Sequence, residues 1–154
     1  MKNYTDDPVV QKHRWLILTA VGMFTIMSTL DASIVNIALP VMSQDLKIPM
    51  NEAEWVVSIY LIVICAMLLL MGKLGDTFGK IRIFRYGTVL FTIGSLFAGF
   101  NHSFLLLLFA RVVQALGASM TMANNNGIVT QIFPFQERGR ALGLIGSFVR
   151  SEEH

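Results

Sequence analysis

Two stretches decide how this chain folds: WLILTAVGMFTIMSTLDASIVNIAL at residues 15–39 and FLLLLFARVVQALGASMTMANNNGIVTQIF at residues 104–133. Each is long enough to cross a bilayer as a helix, which takes about 20 mostly apolar residues. Each carries one ionisable side chain, Asp31 in the first and Arg111 in the second. A charge near the centre of such a helix costs about 2.5–3.5 kcal/mol on insertion scales, so its retention marks a site turned towards the inside of a helix bundle. A purely structural ion pair is the alternative reading.

Working outward, the rest of the chain fits the same solvent. Of 154 residues 54% are apolar and 14% charged, and the mean hydropathy is +0.60, a balance unlike that of a soluble domain. The net charge of +2 arises from short basic clusters beside apolar runs. That distribution reads as topology signals and excludes a nucleic-acid surface. Cys65 has no second cysteine to pair with. His13, His102 and His154 are scattered, and the Glu152, Glu153, His154 tail is too short to build a metal shell, so no metal site and no cofactor are expected. Lys12 and Arg14 precede an apolar run of about 25 residues, longer than a signal-peptide core, so it reads as an uncleaved first helix.

The expected fold is therefore an all-α integral membrane protein with spans at 15–39, 55–71, 83–100 and 104–133. A fifth span begins at 140 and is cut short at 149, before a polar tail at 150–154. Lys2, Lys12 and Arg14, then Lys73, Lys80, Arg82 and Arg85, then Arg138 and Arg140 fall on one side of this arrangement, and Lys47 on the other. The positive-inside rule then makes residues 1–14 a cytoplasmic N-terminus of a multi-pass cell-membrane protein. Trp15, Trp55 and Tyr86 sit at span entrances, where amphipathic rings favour the headgroup layer. Gly87, Gly94, Ser95, Ala98 and Gly99 run small residues through span 3, which lets helix backbones approach closely.

Span 1 runs outward and span 4 inward. Asp31, eight residues before Leu39, lies about 12 Å from the outer end, and Arg111, seven residues after Phe104, about 10 Å from it, so the two share a depth. Arg111, Gln114, Ala118, Thr121 and Asn125 recur at three- and four-residue steps on one face of span 4, which reads as a cavity wall. Asn124, Asn125 and Asn126 need partners in an apolar setting, supplied either by substrate or by a neighbouring helix. A carboxyl whose access to water alternates between the two sides can take a proton on one side and release it on the other. Asp31, Arg111, Gln114 and Asn125 are accordingly the candidate coupling and cavity residues.

Three further stretches carry a resemblance. Gly72-Lys-Leu-Gly-Asp76-Thr-Phe-Gly79-Lys80-Ile-Arg82 resembles the signature loop between helices 2 and 3 of the major facilitator superfamily. Leu30-Asp31-Ala-Ser-Ile-Val-Asn-Ile-Ala-Leu-Pro40 resembles the first-helix motif of its fourteen-helix drug:proton antiporter branch, and Arg111-Val-Val-Gln114-Ala-Leu-Gly117 the superfamily's fourth-helix motif. The three occur in order, on the expected helices, and the resemblance covers residues 14–149.

The resemblance implies multidrug efflux of lipophilic or cationic compounds in exchange for protons, driven by the proton gradient, by rocking of two helical halves. It implies that Asp31 and Arg111 handle the proton, and that Gly72, Asp76, Gly79, Lys80 and Arg82 form a cytoplasmic gate against a second half. Thr77 replaces a frequent basic residue and Ala115 a frequent glycine. The helix-5 motif of the branch falls past Val149, so the chain reads as a partial N-terminal transporter domain at 15–149, inactive without the C-terminal helices that would be its partners.

A small four-span homodimeric exporter and a non-transporting truncated membrane protein stay open. An enzyme is not expected: Ser28, Ser33, Ser58 and Ser119 have no histidine beside them, and Gly72–Gly79 lacks the strand and the Gly-Lys-Ser/Thr end of a phosphate loop.

Overall fold

The computed structural model describes residues 8–100 and 103–150. The topology signal at Lys2, the side chain of His102 and the tail from Ser151 to His154 lie outside them. The described elements are the helices α1 (Pro8–Asp45), α2 (Met50–Ala53), α3 (Trp55–Phe78), α4 (Lys80–Gly99), α5 (Phe104–Ile132) and α6 (Phe135–Arg150). Four units are long and apolar enough to cross a membrane: Pro8–Asp45, Met50–Phe78, Lys80–Gly99 and Phe104–Ile132. The all-helical membrane architecture follows from composition, because backbone polar groups in lipid must be satisfied within each segment.

Helix α5 is the centre of the bundle. Half of its most apolar window is buried, against 17–22% for the other three spans. Glycines set its fit against α4. A Cβ on Gly117 would lie 2.4 Å from the Phe91 nitrogen, and one on Gly87 2.8 Å from the Gly117 carbonyl oxygen. Gly99, by contrast, faces open space. Small residues in span 3 therefore serve packing at Gly87, Gly94 and Ala98 but not at Gly99.

Apolar side chains stack in three layers along the bundle. Leu18, Val21, Ile132, Phe133, Ala141 and Ile145 join α1, α5 and α6 at the end bearing the N-terminus. Phe24, Tyr60, Ile64, Phe91, Ala115 and Ala118 fill the middle. Leu39, Ala53, Val56 and Leu107 close the opposite end. The first layer is reinforced by Trp15, edge-on to Phe133 at 5.3 Å, by Gln11 donating to the Ile132 carbonyl at 2.8 Å and by an Arg14–Glu137 ion pair at 3.1 Å. Trp55 and Tyr86 are exposed.

Element ends depart from expectation in three places. Helix α1 runs through Pro40 to Asp45, because proline removes one donor while Leu39, with Met42 and Leu46 beyond it, packs on the outer layer. It stops at Lys47, whose φ of 53° allows Ile48 N–H to reach the Ser43 carbonyl and Lys47 N–H that of Gln44, a Schellman closure. The stretch read as a loop at 72–82 is helical except for Gly79, at φ 102° and ψ 124°. Only that residue needs a conformation reserved for glycine. Helix α6 starts at Phe135 and not at 140: its first turn is polar and so invisible to hydropathy, with Glu137 favourably placed at the N-terminal end.

Candidate functional site

The antiparallel α1 and α5 bring Asp31 and Arg111 together. Arg111 Nη1 donates to Asp31 Oδ2 at 2.8 Å. Asp31 keeps 23% of its side-chain exposure while Arg111 keeps 2%. Gln114, one turn along α5, joins them: its Oε1 accepts from Arg111 Nη1 at 2.5 Å, and its Nε2 donates to Asp31 Oδ1 at 2.8 Å and to Ser95 Oγ on α4 at 2.7 Å. From α3, the Val56 carbonyl accepts from Arg111 Nε at 3.3 Å, and the guanidinium carbon lies 4.3 Å from the Tyr60 ring centroid. Four helices thus meet at the buried Arg111–Gln114 pair.

Asp31 opens on its other side to a cavity of about 440 Å³ between α1 and α4, walled by Met27, Leu30, Ile34, Phe91 and Leu96 with Ser95 beside the carboxylate. A second apolar cavity of about 530 Å³ shares Met27, Leu30 and Thr92 with it and extends towards Met23 and Thr88. The arrangement offers one carboxylate at the edge of an apolar groove. Such a site suits a proton or a cation with an apolar body.

The α5 face read as a cavity wall is packed. Arg111, Gln114, Ala118 and Thr121 are 2%, 0%, 0% and 0% exposed, and the Thr121 hydroxyl returns to the Ala118 carbonyl at 2.7 Å. Small side chains here draw α3 and α4 onto α5, which closes the face. Asn125 shares the face but not the site, lying about 21 Å along the axis from Arg111. It donates to Thr25 Oγ1 on α1 at 2.9 Å, a helix-to-helix tie. Asn124 is fully buried and donates to the carbonyls of Met71 at 3.2 Å and Met120 at 2.8 Å. Asn126 is exposed.

At the α3–α4 turn, Asp76 in the last turns of α3 pairs with Lys80 in the first turn of α4. The Lys80 stem lies across Gly127 of α5, where a Cβ would come within 2.5 Å of Lys80 Cδ. Gly75 gives the matching space on α3, since a Cβ there would overlap Asn124 Oδ1 at 1.6 Å. Arg82 is exposed at the start of α4 and Gly72 sits opposite Ala123 on α5. The gate candidates therefore form one surface on α3 and α4, distant from Asp31.

Residues 21–150 match the family model described as Major Facilitator Superfamily. The chain belongs to that superfamily. Within the superfamily it is 42% identical to the riboflavin transporter RibZ of Clostridioides difficile over 90% of this chain and 30% of that one. It is 36% identical to the methyl viologen resistance protein SmvA of Salmonella typhimurium, over 85% of this chain and 27% of SmvA. It is 35% identical to the multidrug resistance protein Stp of Mycobacterium tuberculosis, over 84% of this chain and 24% of Stp. The chain spans less than a third of the length of these curated relatives and corresponds to the N-terminal part of the superfamily fold.

Tyr60, Ser95 and the Val56 carbonyl belong to the network of this superfamily member and were not singled out by sequence. Tyr60 stands in an apolar run with no polar periodicity around it. In sequence Ser95 reads as a small packing residue, and the signal that it does more is its position one residue after Gly94, where α4 meets the Gln114 backbone. Ala115, where glycine is frequent, is fully buried and fits the middle apolar layer.

Proposed function

We propose that this chain is the N-terminal part of a proton-coupled exporter of lipophilic or cationic compounds, set in the cell membrane with its N-terminus in the cytoplasm. The observation that carries the reading is the Asp31 carboxylate, paired to a buried Arg111 on one side and open to an apolar groove on the other. A proton and a cationic substrate compete for that carboxylate, so occupancy by one favours release of the other, and a two-sided exchange follows if the site faces each side in turn. This function needs binding groups and two conformations, and no bond-making step, so the chain is read as a non-enzyme. Gly72, Asp76, Gly79, Lys80 and Arg82 then shape the cytoplasmic gate against helices that lie beyond this chain. The resistance named for SmvA and Stp supports efflux of drugs and cations.

The test uses the complete transporter in proteoliposomes with an imposed proton gradient. Methyl viologen added to the wild type drives proton movement across the vesicle wall, and Asp31→Asn abolishes it. Full exchange by Asp31→Asn would sink the proposal. A second reading, carriage of a flavin-like planar compound, is favoured by the riboflavin transporter relative. Riboflavin uptake or counterflow without any response to methyl viologen selects it.

A further inference from the structure

We propose that Tyr60 is the positioning residue that holds Arg111 in its seat while Asp31 carries no charge, a role that rests on the reading of Asp31 as the proton-binding group. Arg111 is 2% exposed, and its partner in an ion pair among the described residues is Asp31. A guanidinium stays charged at any working pH. Once a proton neutralises Asp31, the cation is buried without its counter-charge, a state proteins avoid unless other groups compensate.

What remains is the Gln114 Oε1, the Val56 carbonyl at a long 3.3 Å and the Tyr60 ring face at 4.3 Å. Tyr60 is itself 4% exposed and locked in the middle layer with Phe24, Ile64 and Phe91. Its ring is therefore a fixed platform that water does not replace. Val56 and Tyr60 lie one turn apart on α3, so a single helix supplies both the carbonyl and the face. The attraction of a ring quadrupole for a cation does not depend on whether Asp31 is ionised. Without the ring, the guanidinium of the protonated state leaves its seat for the groove beside Asp31, and it is out of place when the proton must depart.

The experiment uses the complete transporter, comparing Tyr60→Phe, which keeps the face, with Tyr60→Leu, which keeps only apolar volume. Proton-driven turnover by Tyr60→Phe stays within about threefold of wild type, while Tyr60→Leu loses about ten- to thirtyfold in kcat with KM changed less than about threefold. A thermal-melting cycle supplies the second readout. Tyr60→Leu lowers the melting temperature more in an Asp31→Asn background, where the carboxylate is absent, than in the wild type. Equal kcat for the Leu and Phe variants, or an equal melting loss in both backgrounds, overturns the proposal. If Tyr60→Leu does not assemble, Tyr60→Met, which fills the space without a face, is held to the same expectations. Proton-driven exchange surviving in Asp31→Asn refutes the reading of Asp31, whereas the melting cycle tests the Tyr60 seat independently of it.

Discussion

Gly94→Ala is a one-methyl change whose cost can be worked from the α4–α5 crossing. An ideal Cβ at Gly94 would lie 2.6 Å from the Gln114 nitrogen, 2.8 Å from its Cα and 2.8 Å from its Cβ. Comfortable carbon contacts begin at about 3.5 Å, so the helices must part by roughly 1 Å, and a gap of that size forfeits about a quarter to a half of each lining contact. Two of the three obstructing atoms are backbone, so no rotamer change relieves the clash. Overpacking of this kind costs about 1–3 kcal/mol.

The same displacement acts on the site. Gln114 Nε2 bonds Ser95 Oγ at 2.7 Å and Asp31 Oδ1 at 2.8 Å, and a shift of about 1 Å stretches either bond past hydrogen-bonding range. Losing the bond to the charged partner adds about 1.5–3 kcal/mol, while alanine returns up to about 1 kcal/mol in helix propensity. The net expectation is a loss of about 1.5–5 kcal/mol. Gly99→Ala is the control, because nothing lies within 4 Å of a Cβ there and the change is neutral or slightly stabilising. Thermal unfolding of the complete transporter in detergent, followed by tryptophan fluorescence, compares the two. Wild-type melting of Gly94→Ala, or equal destabilisation by Gly99→Ala, refutes the reasoning.

Three further changes carry expected outcomes. Gly79→Ala destabilises by about 1–3 kcal/mol through backbone strain alone, since φ 102° with ψ 124° is closed to alanine although the space around it is open; Gly79→Asn melts no higher, because its left-handed allowance lies at a lower ψ. Arg111→Ala leaves the Asp31 carboxylate without its partner and costs about 3 kcal/mol, the low end for a broken buried pair because Asp31 retains some solvent; Arg111→Leu combined with Asp31→Asn recovers part of that loss in the same melting assay. Glu137→Gln changes stability by less than about 1 kcal/mol, since its pair with Arg14 is 24% and 43% exposed; a larger drop would show that the first layer depends on charge and not on Trp15 and Phe133.

Hydropathy made the four spans legible because lipid imposes one requirement on every crossing segment. The rise per residue then placed Asp31 and Arg111 at a common depth, and they meet at 2.8 Å. Helical periodicity was less informative at Asn125: it assigns a face and not a depth, so a residue on the Arg111 face ended up tied to Thr25 four turns away. Tyr60 was hidden for a different reason. Which side of α3 turns towards Arg111 is decided by the fit of Asn124 against Gly75, a contact between residues 49 positions apart that neither local sequence announces. The end of α3 is illegible in sequence because glycines at 72, 75 and 79 look alike there, and only the last leaves the helix.

The position of α5 connects the two ends of the chain's chemistry. Arg111 and Gln114 contact α1, α3 and α4 near one end. Asn124 and Gly127 seat Met71 of α3 and Lys80 of α4 near the other. Sixteen residues of continuous helix separate Arg111 from Gly127, about 24 Å at the helical rise. Gly87, Gly94 and Gly117 hold α4 and α5 in close contact along much of that length. If, on the proposed reading, Asp31 takes a proton while Arg111 lacks the Tyr60 face, the displaced Arg111 is carried by an α5 already seated closely against α4. Under that proposal the displacement is taken up where α5 meets α1, through the Asn125–Thr25 tie, or passed along α3 and α4 to the Asp76–Lys80 turn. The first route predicts that loosening Asn125 uncouples the proposed gate residues from Asp31, and the second that it does not.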